Sequence, residues 1–156
     1  MRGDNKMTKE KGLTRYVWLI TVVLALVLIG FGLMCMPDPI NLMDYGLQMS
    51  GSSVTMESLD EEAVGTFSFI TRSMCMGGIW LGIIGLFCAW GLKRKESFAW
   101  KLNVVWGVLV TADGIFRAVD ELFVIGWSTV SPCVYPYIIG GVIVIGCLLA
   151  VRKEFS

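Results

Sequence analysis

The stretch LNVVWGVLVTADGIFRAVDEL, residues 102–122, decides the fold because a charge-free apolar run gives way within it to charged residues. The charge-free part, residues 102–112, covers about half of the roughly 20 residues that a helix needs to cross a hydrocarbon core. The charged residues follow at helical spacing and are Asp113, Arg117, Asp120 and Glu121. Hydropathy alone therefore does not decide whether this segment crosses a membrane.

The flanking sequence is that of a membrane protein. Hydrophobic residues make up 55% of the 156 residues and charged residues 17%, whereas soluble domains contain about 25% charged residues. Residues 16–37 and 73–92 are free of charge and long enough to cross. A further apolar segment follows Pro132 and Pro136, which suit a loop and a first helical turn. A cleaved signal peptide is the alternative for the first segment, but signal cores are shorter and end in small residues.

Lysine and arginine are distributed unevenly among the segments between the apolar runs. The N-terminal leader contains five, the 93–101 loop four and the tail two, whereas residues 38–66 and 118–131 contain none. Basic segments that flank membrane helices remain in the cytoplasm. The basic 93–101 loop and the basic tail lie on the same side of the membrane only if residues 102–122 cross it. We therefore predict a multi-pass protein of the cell membrane with both termini in the cytoplasm.

The predicted fold is all-α, a single domain over residues 1–156 that forms a four-helix transmembrane bundle. The predicted spans are residues 16–36, 67–92, 99–121 and 134–151. One long acidic outer loop, residues 37–66, joins the first two spans and is expected to contain a short surface helix around residues 40–47. Ser58, followed by Glu61, fits a capping box and predicts that the second helix begins near Ser58. The acidic charge of the loop is either simply solvated or forms a docking or cation-gathering surface.

Several function classes are excluded by residue content. The chain has no histidine, which excludes histidine-ligated haem, copper or zinc and the catalytic triads that use histidine. Its five cysteines form no Cys-x-x-Cys motif, and no dinucleotide-binding motif is present. With zero net charge, the chain has no overall basic excess for nucleic acid. We therefore predict no catalytic residues, metal or cofactor, and the lipid bilayer as the main partner.

Glycines predict how the helices pack. Gly78 and Gly82 form a small-xxx-small pair in the second span, and such pairs allow close backbone approach within lipid. Contacts within the chain are the favoured interpretation, and association with a second copy or another membrane protein is the alternative.

The candidate site lies in the charged half of the third span. Asp113, Arg117 and Asp120 fall within about 60° of one another around a helix, and Glu121 follows. Arg72 is predicted to lie at the same depth in the second span and to meet this acidic group. One interpretation is an outward-opening polar vestibule for an ion, a proton or a small polar ligand. The other is an ion pair that fixes helix register near the headgroups.

The motif RSMCMGGIWLG at residues 72–82, with GLF at 85–87 and GIFR at 114–117, resembles a family of uncharacterised four-helix prokaryotic membrane proteins. In outline the chain is similar to DoxX-like proteins, some of which are associated with quinone-linked sulfur oxidation. The resemblance covers about residues 70–152. It implies the four-helix architecture and no catalytic residues.

Three functions follow as hypotheses. The first is a binding or accessory protein that engages a partner or small ligand through the polar vestibule. The second is a proton- or cation-coupled transporter or channel that uses Asp113. The third is a quinone-linked oxidoreductase subunit, because an oxidising exterior could pair two of the three cysteines expected near the outer face: Cys35, Cys75 and Cys133. Apolar packing of these cysteines is the alternative to a disulfide.

Reporter fusions test the topology. A reporter inserted in the 93–101 loop and one placed after Arg152 should both report the cytoplasm, because positive residues are retained there. A reporter at Gly51 should report the opposite side and serves as the control. Loop and tail reporters on opposite faces would contradict the four-pass prediction.

Overall fold

The computed structural model describes residues 4–49, 51, 53–124, 130 and 134–155, and these residues form helices and turns without a strand. The helices are α1 (Asp4–Cys35), α2 (Pro39–Met49), α3 (Glu61–Lys93), α4 (Ser97–Val119) and α5 (Tyr135–Ala150). Short 3-10 turns occur at Met56–Ser58 and Arg152–Glu154, and a π turn at Asp120–Val124 extends α4. Pro132 and Cys133 lie outside the described residues.

Three helical segments are long and apolar enough to cross a membrane: Tyr16–Cys35, Glu61–Lys93 and Ser97–Phe123. The third contains all of residues 102–122, the stretch that combines an apolar run with charged residues, so the prediction that this stretch is helical is confirmed. The remaining apolar helix, Tyr135–Ala150, has 16 residues and spans about 24 Å.

The connection between α1 and α3 is folded, and it contains the predicted surface helix as α2. The Asp38 carboxylate accepts a hydrogen bond from the backbone N–H of Asn41 at 3.1 Å, near the start of this helix. Asp44 accepts one from the backbone N–H of Met56 at 2.8 Å, and the Met56 side chain is buried. Two of the acidic side chains predicted for this loop therefore hold its backbone in place.

The start of α3 corrects the predicted capping box. Asp60 is the N-cap, and its carboxylate accepts a hydrogen bond from the backbone N–H of Ala63 at 2.7 Å. The Ser58 hydroxyl instead donates to the Thr55 carbonyl at 2.7 Å, within the short turn that precedes α3. The helix therefore begins at Glu61, because an aspartate nearer to the helix satisfies its first free N–H groups.

The turn between α3 and α4 is a Schellman motif without the usual glycine. The Glu96 N–H donates to the Gly91 carbonyl at 3.2 Å, and the Lys95 N–H donates to the Leu92 carbonyl at 2.9 Å. Lys95 adopts the left-handed conformation with φ of 58°. This tight turn makes α3 and α4 antiparallel neighbours. We call the end of the molecule that contains this turn the turn end, and the opposite end, where α2 lies, the α2 end.

The long helices contact one another in sequence around the core. α1 packs most extensively on α3 and α4 on α5, while contacts of α3 with α4 and of α1 with α5 complete the arrangement. The largest buried side chains of this core include Leu28, Trp106, Val110, Tyr137, Val144 and Leu148. The Trp106 indole N–H donates to the Leu81 carbonyl of α3, and that of Trp100 donates to the Leu148 carbonyl of α5, each at 2.8 Å.

Glycines set the distance between α1 and α3. A β-carbon placed on Gly82 would lie 2.6 Å from the Ala25 carbonyl oxygen, and one on Gly32 would lie 2.7 Å from the Cys75 carbonyl oxygen. Gly78 lies against the Leu28 carbonyl and the Tyr137 hydroxyl. The predicted contacts of Gly78 and Gly82 within the chain are therefore confirmed. The two backbones approach closely enough for Cα–H to carbonyl contacts, which side chains would prevent.

A glycine-to-alanine comparison on α3 tests this packing. Gly82→Ala should destabilise the protein by about 1–3 kcal/mol, because the added methyl group meets the backbone of α1, which cannot move as a side chain can. Gly77→Ala is the matched control, because nothing lies within 4 Å of a β-carbon placed there. The measurement is thermal unfolding in detergent followed by circular dichroism. Equal unfolding midpoints for the two variants would contradict the role of Gly82.

Candidate functional site

Asp113 and Arg117 form an ion pair on one face of α4. The Arg117 Nε atom lies 2.8 Å from the Asp113 Oδ2 atom and donates a hydrogen bond to it. The side chains are 34% exposed for Asp113 and 21% exposed for Arg117, so the pair is accessible at its edge. Because the two residues are four positions apart on one helix, the pair neutralises charge without joining two helices.

Tyr137 of α5 connects this ion pair to the rest of the core. The Arg117 guanidinium lies 5.0 Å from the centroid of the Tyr137 ring, within the range of a cation–π contact. Gly114 makes room for the ring, since a β-carbon there would lie 2.7 Å from the Tyr137 β-carbon. The Tyr137 hydroxyl reaches Gly78 of α3. Tyr137 of α5 therefore contacts both α3 and α4 and lies beside the Asp113–Arg117 ion pair.

The other acidic residues predicted for the site lie just beyond the pair, at the α2 end. Asp120 and Glu121 are both half-buried and begin the π turn that continues α4. The wider π turn changes the angular position of each following side chain relative to an ideal helix. We define the polar end of α4 as Asp113, Arg117, Asp120 and Glu121.

Arg72 is not brought into contact with the polar end of α4. The α3–α4 register, in which Gly85 packs on Trp106 and Gly91 on Ala99, places Arg72 level with roughly residue 118. This depth agrees with the sequence prediction. The Arg72 side chain is nevertheless exposed, and among the described residues it forms no ion pair with α4. Asp113 is paired with Arg117 of its own helix instead.

The core beneath the ion pair is closed and apolar. Val110, one turn from Asp113, is completely buried, and Trp106 follows at 2% exposure. Leu28 of α1 and Val144 of α5 are buried in the same cluster. The polar side chains buried in the described part of the chain are Thr21, Thr71 and Asn103.

Thr21 and Asn103 form a buried polar contact between α1 and α4 that the sequence analysis did not predict. Thr21 Oγ1 lies 3.1 Å from the Val17 carbonyl oxygen and 3.3 Å from Asn103 Oδ1, and both side chains are fully buried. A hydroxyl has one proton, and bonding to the Val17 carbonyl uses it. Rotating the amide by 180° would therefore let Asn103 Nδ2, which has no hydrogen-bond partner among the described residues, donate to Thr21. A lone Asn in the middle of an apolar run was the available sequence signal.

The acidic residues of the α1–α3 connection divide into two groups. Asp38, Asp44 and Asp60 accept backbone hydrogen bonds. Glu57, Glu61 and Glu62 are exposed, and the two at the start of α3 also interact favourably with its dipole. The described residues include no group of three acidic or cysteine side chains that could hold a metal ion.

Comparison of the chain with protein-family models, with curated proteins and with solved structures finds no match.

A double-mutant cycle tests the ion pair. Arg117→Met should destabilise the protein by about 1–2 kcal/mol, because Asp113 keeps its charge and loses its partner in a partly buried position. Adding Asp113→Asn should restore much of that loss, since no unpaired charge remains. Unfolding midpoints of the wild type, both single variants and the double variant in detergent provide the measurement. Strictly additive effects would show that the two charges do not interact.

Proposed function

We propose that this chain is a four-pass integral protein of the cell membrane, a four-helix transmembrane bundle with both termini in the cytoplasm. The distribution of exposed side chains supports this topology. The exposed basic residues at the turn end are Lys93, Arg94, Lys95, Lys101, Arg152 and Lys153. Large apolar side chains are exposed along the helices between the two ends, among them Val23, Leu26, Trp80, Phe87, Val108 and Ile143. Such a surface requires lipid contact, and the basic end is the one retained in the cytoplasm.

Within this topology, we propose a binding or accessory function in which the polar end of α4 engages a partner or small ligand from the outer side. The partly exposed Asp113–Arg117 pair is the observation that carries this proposal. Charged groups in a membrane segment are costly and usually face a protein interior or a functional site. This pair lies at the outer edge of the bundle, where a ligand can reach it without crossing the core.

The chemistry of the pair indicates which ligands it suits. Asp113 engages Arg117 through Nε, and the described contacts assign no acceptor to the two terminal nitrogens of the guanidinium. These nitrogens can donate hydrogen bonds to carboxylate or phosphate oxygens of a bound group. The nearby Asp120 carboxylate disfavours a purely anionic ligand. A zwitterionic or neutral polar group with acceptor oxygens is therefore the best match.

Transport through the chain is less well supported. A proton or cation that reaches Asp113 would next meet Val110 and Trp106, which are buried and apolar. The Trp106 ring is also fixed by its hydrogen bond to the Leu81 carbonyl. A continuous polar path would require these side chains to move.

Gentle detergent extraction and mass spectrometry of co-purifying lipids, small molecules and proteins test the proposal. Asp113→Asn should reduce at least one co-purifying species several-fold, because Arg117 loses the carboxylate that orients it. Glu57→Gln is the matched control, since it also removes one negative charge but from an exposed loop position.

Proton and cation flux in proteoliposomes should be the same for wild type and Asp113→Asn. Flux that the substitution abolishes would favour transport instead. An unchanged set of co-purifying species in Asp113→Asn would contradict the binding proposal.

A further inference from the structure

Cys35 and Cys75 bring two thiols into contact between α1 and α3. Cys35 is the last residue of α1, and its thiol lies beside that of Cys75 on α3. Both residues are partly exposed, and neither is joined in a disulfide in this structure. Three cysteines are predicted near the outer face, and two of them, Cys35 and Cys75, are neighbours in the described part of the chain.

The backbone around these thiols is arranged for close approach. Gly32 lies one turn before Cys35 on the same face of α1, and a β-carbon placed on it would lie 2.7 Å from the Cys75 carbonyl oxygen. A disulfide requires α-carbons within about 4.4–6.8 Å, a separation that most helix pairs exceed at their contact. The glycine contact one turn away brings the two helices unusually close at this level.

We propose that Cys35 and Cys75 form a reversible dithiol–disulfide site that joins the end of α1 to α3. The oxidant is a disulfide of a small thiol or of a partner protein. A thiolate of the pair attacks that disulfide and forms a mixed disulfide, which releases one thiol. The second cysteine then attacks the mixed disulfide and releases the other thiol. In total, two protein thiols are oxidised to one disulfide, and one external disulfide is reduced to two thiols.

The position of the site within the fold gives it access to such an oxidant. Cys35 precedes the connection that contains α2, and under the proposed topology this end faces the oxidising exterior. Cys75 lies about one turn within the charge-free part of α3, directly beside it. Cys88 is buried and lies more than three turns further along α3, so it is not accessible to the same reagent.

The disulfide would close a loop that contains all of α2 and the first part of α3. It would therefore restrict separation of α1 from α3 at the α2 end. Oxidation should raise the thermal midpoint of unfolding relative to the reduced protein. The same bond would hold Gly32 against the carbonyl of Cys75.

Treatment of the purified full-length protein with oxidised glutathione tests the proposal. The protein is then denatured so that every free thiol, including that of buried Cys88, can be blocked with a maleimide, and the digested protein is examined by mass spectrometry. Two of the five cysteines should escape labelling, and a Cys35–Cys75 linked peptide should appear and disappear again after dithiothreitol treatment. Because the wild-type chain is the main sample, the test does not depend on a variant that folds poorly.

Variants identify the partners independently. Cys35→Ser and Cys75→Ser should each restore labelling of the other cysteine, and Cys133→Ser is the control that should leave the linked peptide unchanged. Full labelling of Cys35 and Cys75 after oxidation would overturn the proposal. A glutathione adduct without the internal bond, a link to Cys133 or a disulfide between two chains would also overturn it.

Discussion

Gly82 of α3 lies against the Ala25 carbonyl of α1, and Gly32 of α1 lies against the Cys75 carbonyl of α3. This reciprocal contact of glycines with carbonyls is the constraint on which the other contacts depend. In the proposed membrane setting, apolar side chains gain little from leaving lipid for a helix interface, so close packing has to supply the attraction between helices. The same small residues create the spaces that larger side chains occupy: the Trp106 ring packs on Gly85, and the Tyr137 hydroxyl reaches Gly78.

The positions of the helices could be predicted from the sequence because hydropathy and charge patterns are properties of single segments of the chain. The charged stretch in residues 102–122 is helical, α3 ends at Lys93, and α2 occupies the predicted surface segment. The error at the start of α3 has a local cause, since Ser58 and Asp60 are both good N-caps and only the backbone path selects between them. The number of membrane crossings and the sidedness of the termini stay predictions, which depend on the distribution of basic residues.

Partner choice within the candidate site could not be predicted in the same way. Helical spacing correctly placed Asp113 and Arg117 on one face, and depth correctly placed Arg72 at their level. Contact also depends on the rotation of each helix about its axis, which packing determines and the sequence does not display. α3 turns Gly78, Gly82 and Gly85 inward, and Arg72 is left exposed. The contacts of Tyr137 with Arg117 and of Thr21 with Asn103 join distant segments, so no local signal specified either partner.

The two polar centres of α4 are separated by a layer that is closed for a structural reason. Asp113 and Asn103 are ten residues apart, or about 15 Å along the helix axis, and Trp106 and Val110 lie between them. Moving the Trp106 ring would break its indole hydrogen bond and open a space against Gly85, which has no side chain to fill it. An indole N–H without an acceptor in lipid is costly. The tryptophan therefore stabilises the α3–α4 contact and separates the ion pair from the opposite half of the core, so chemistry at the ion pair is confined to the α2 end.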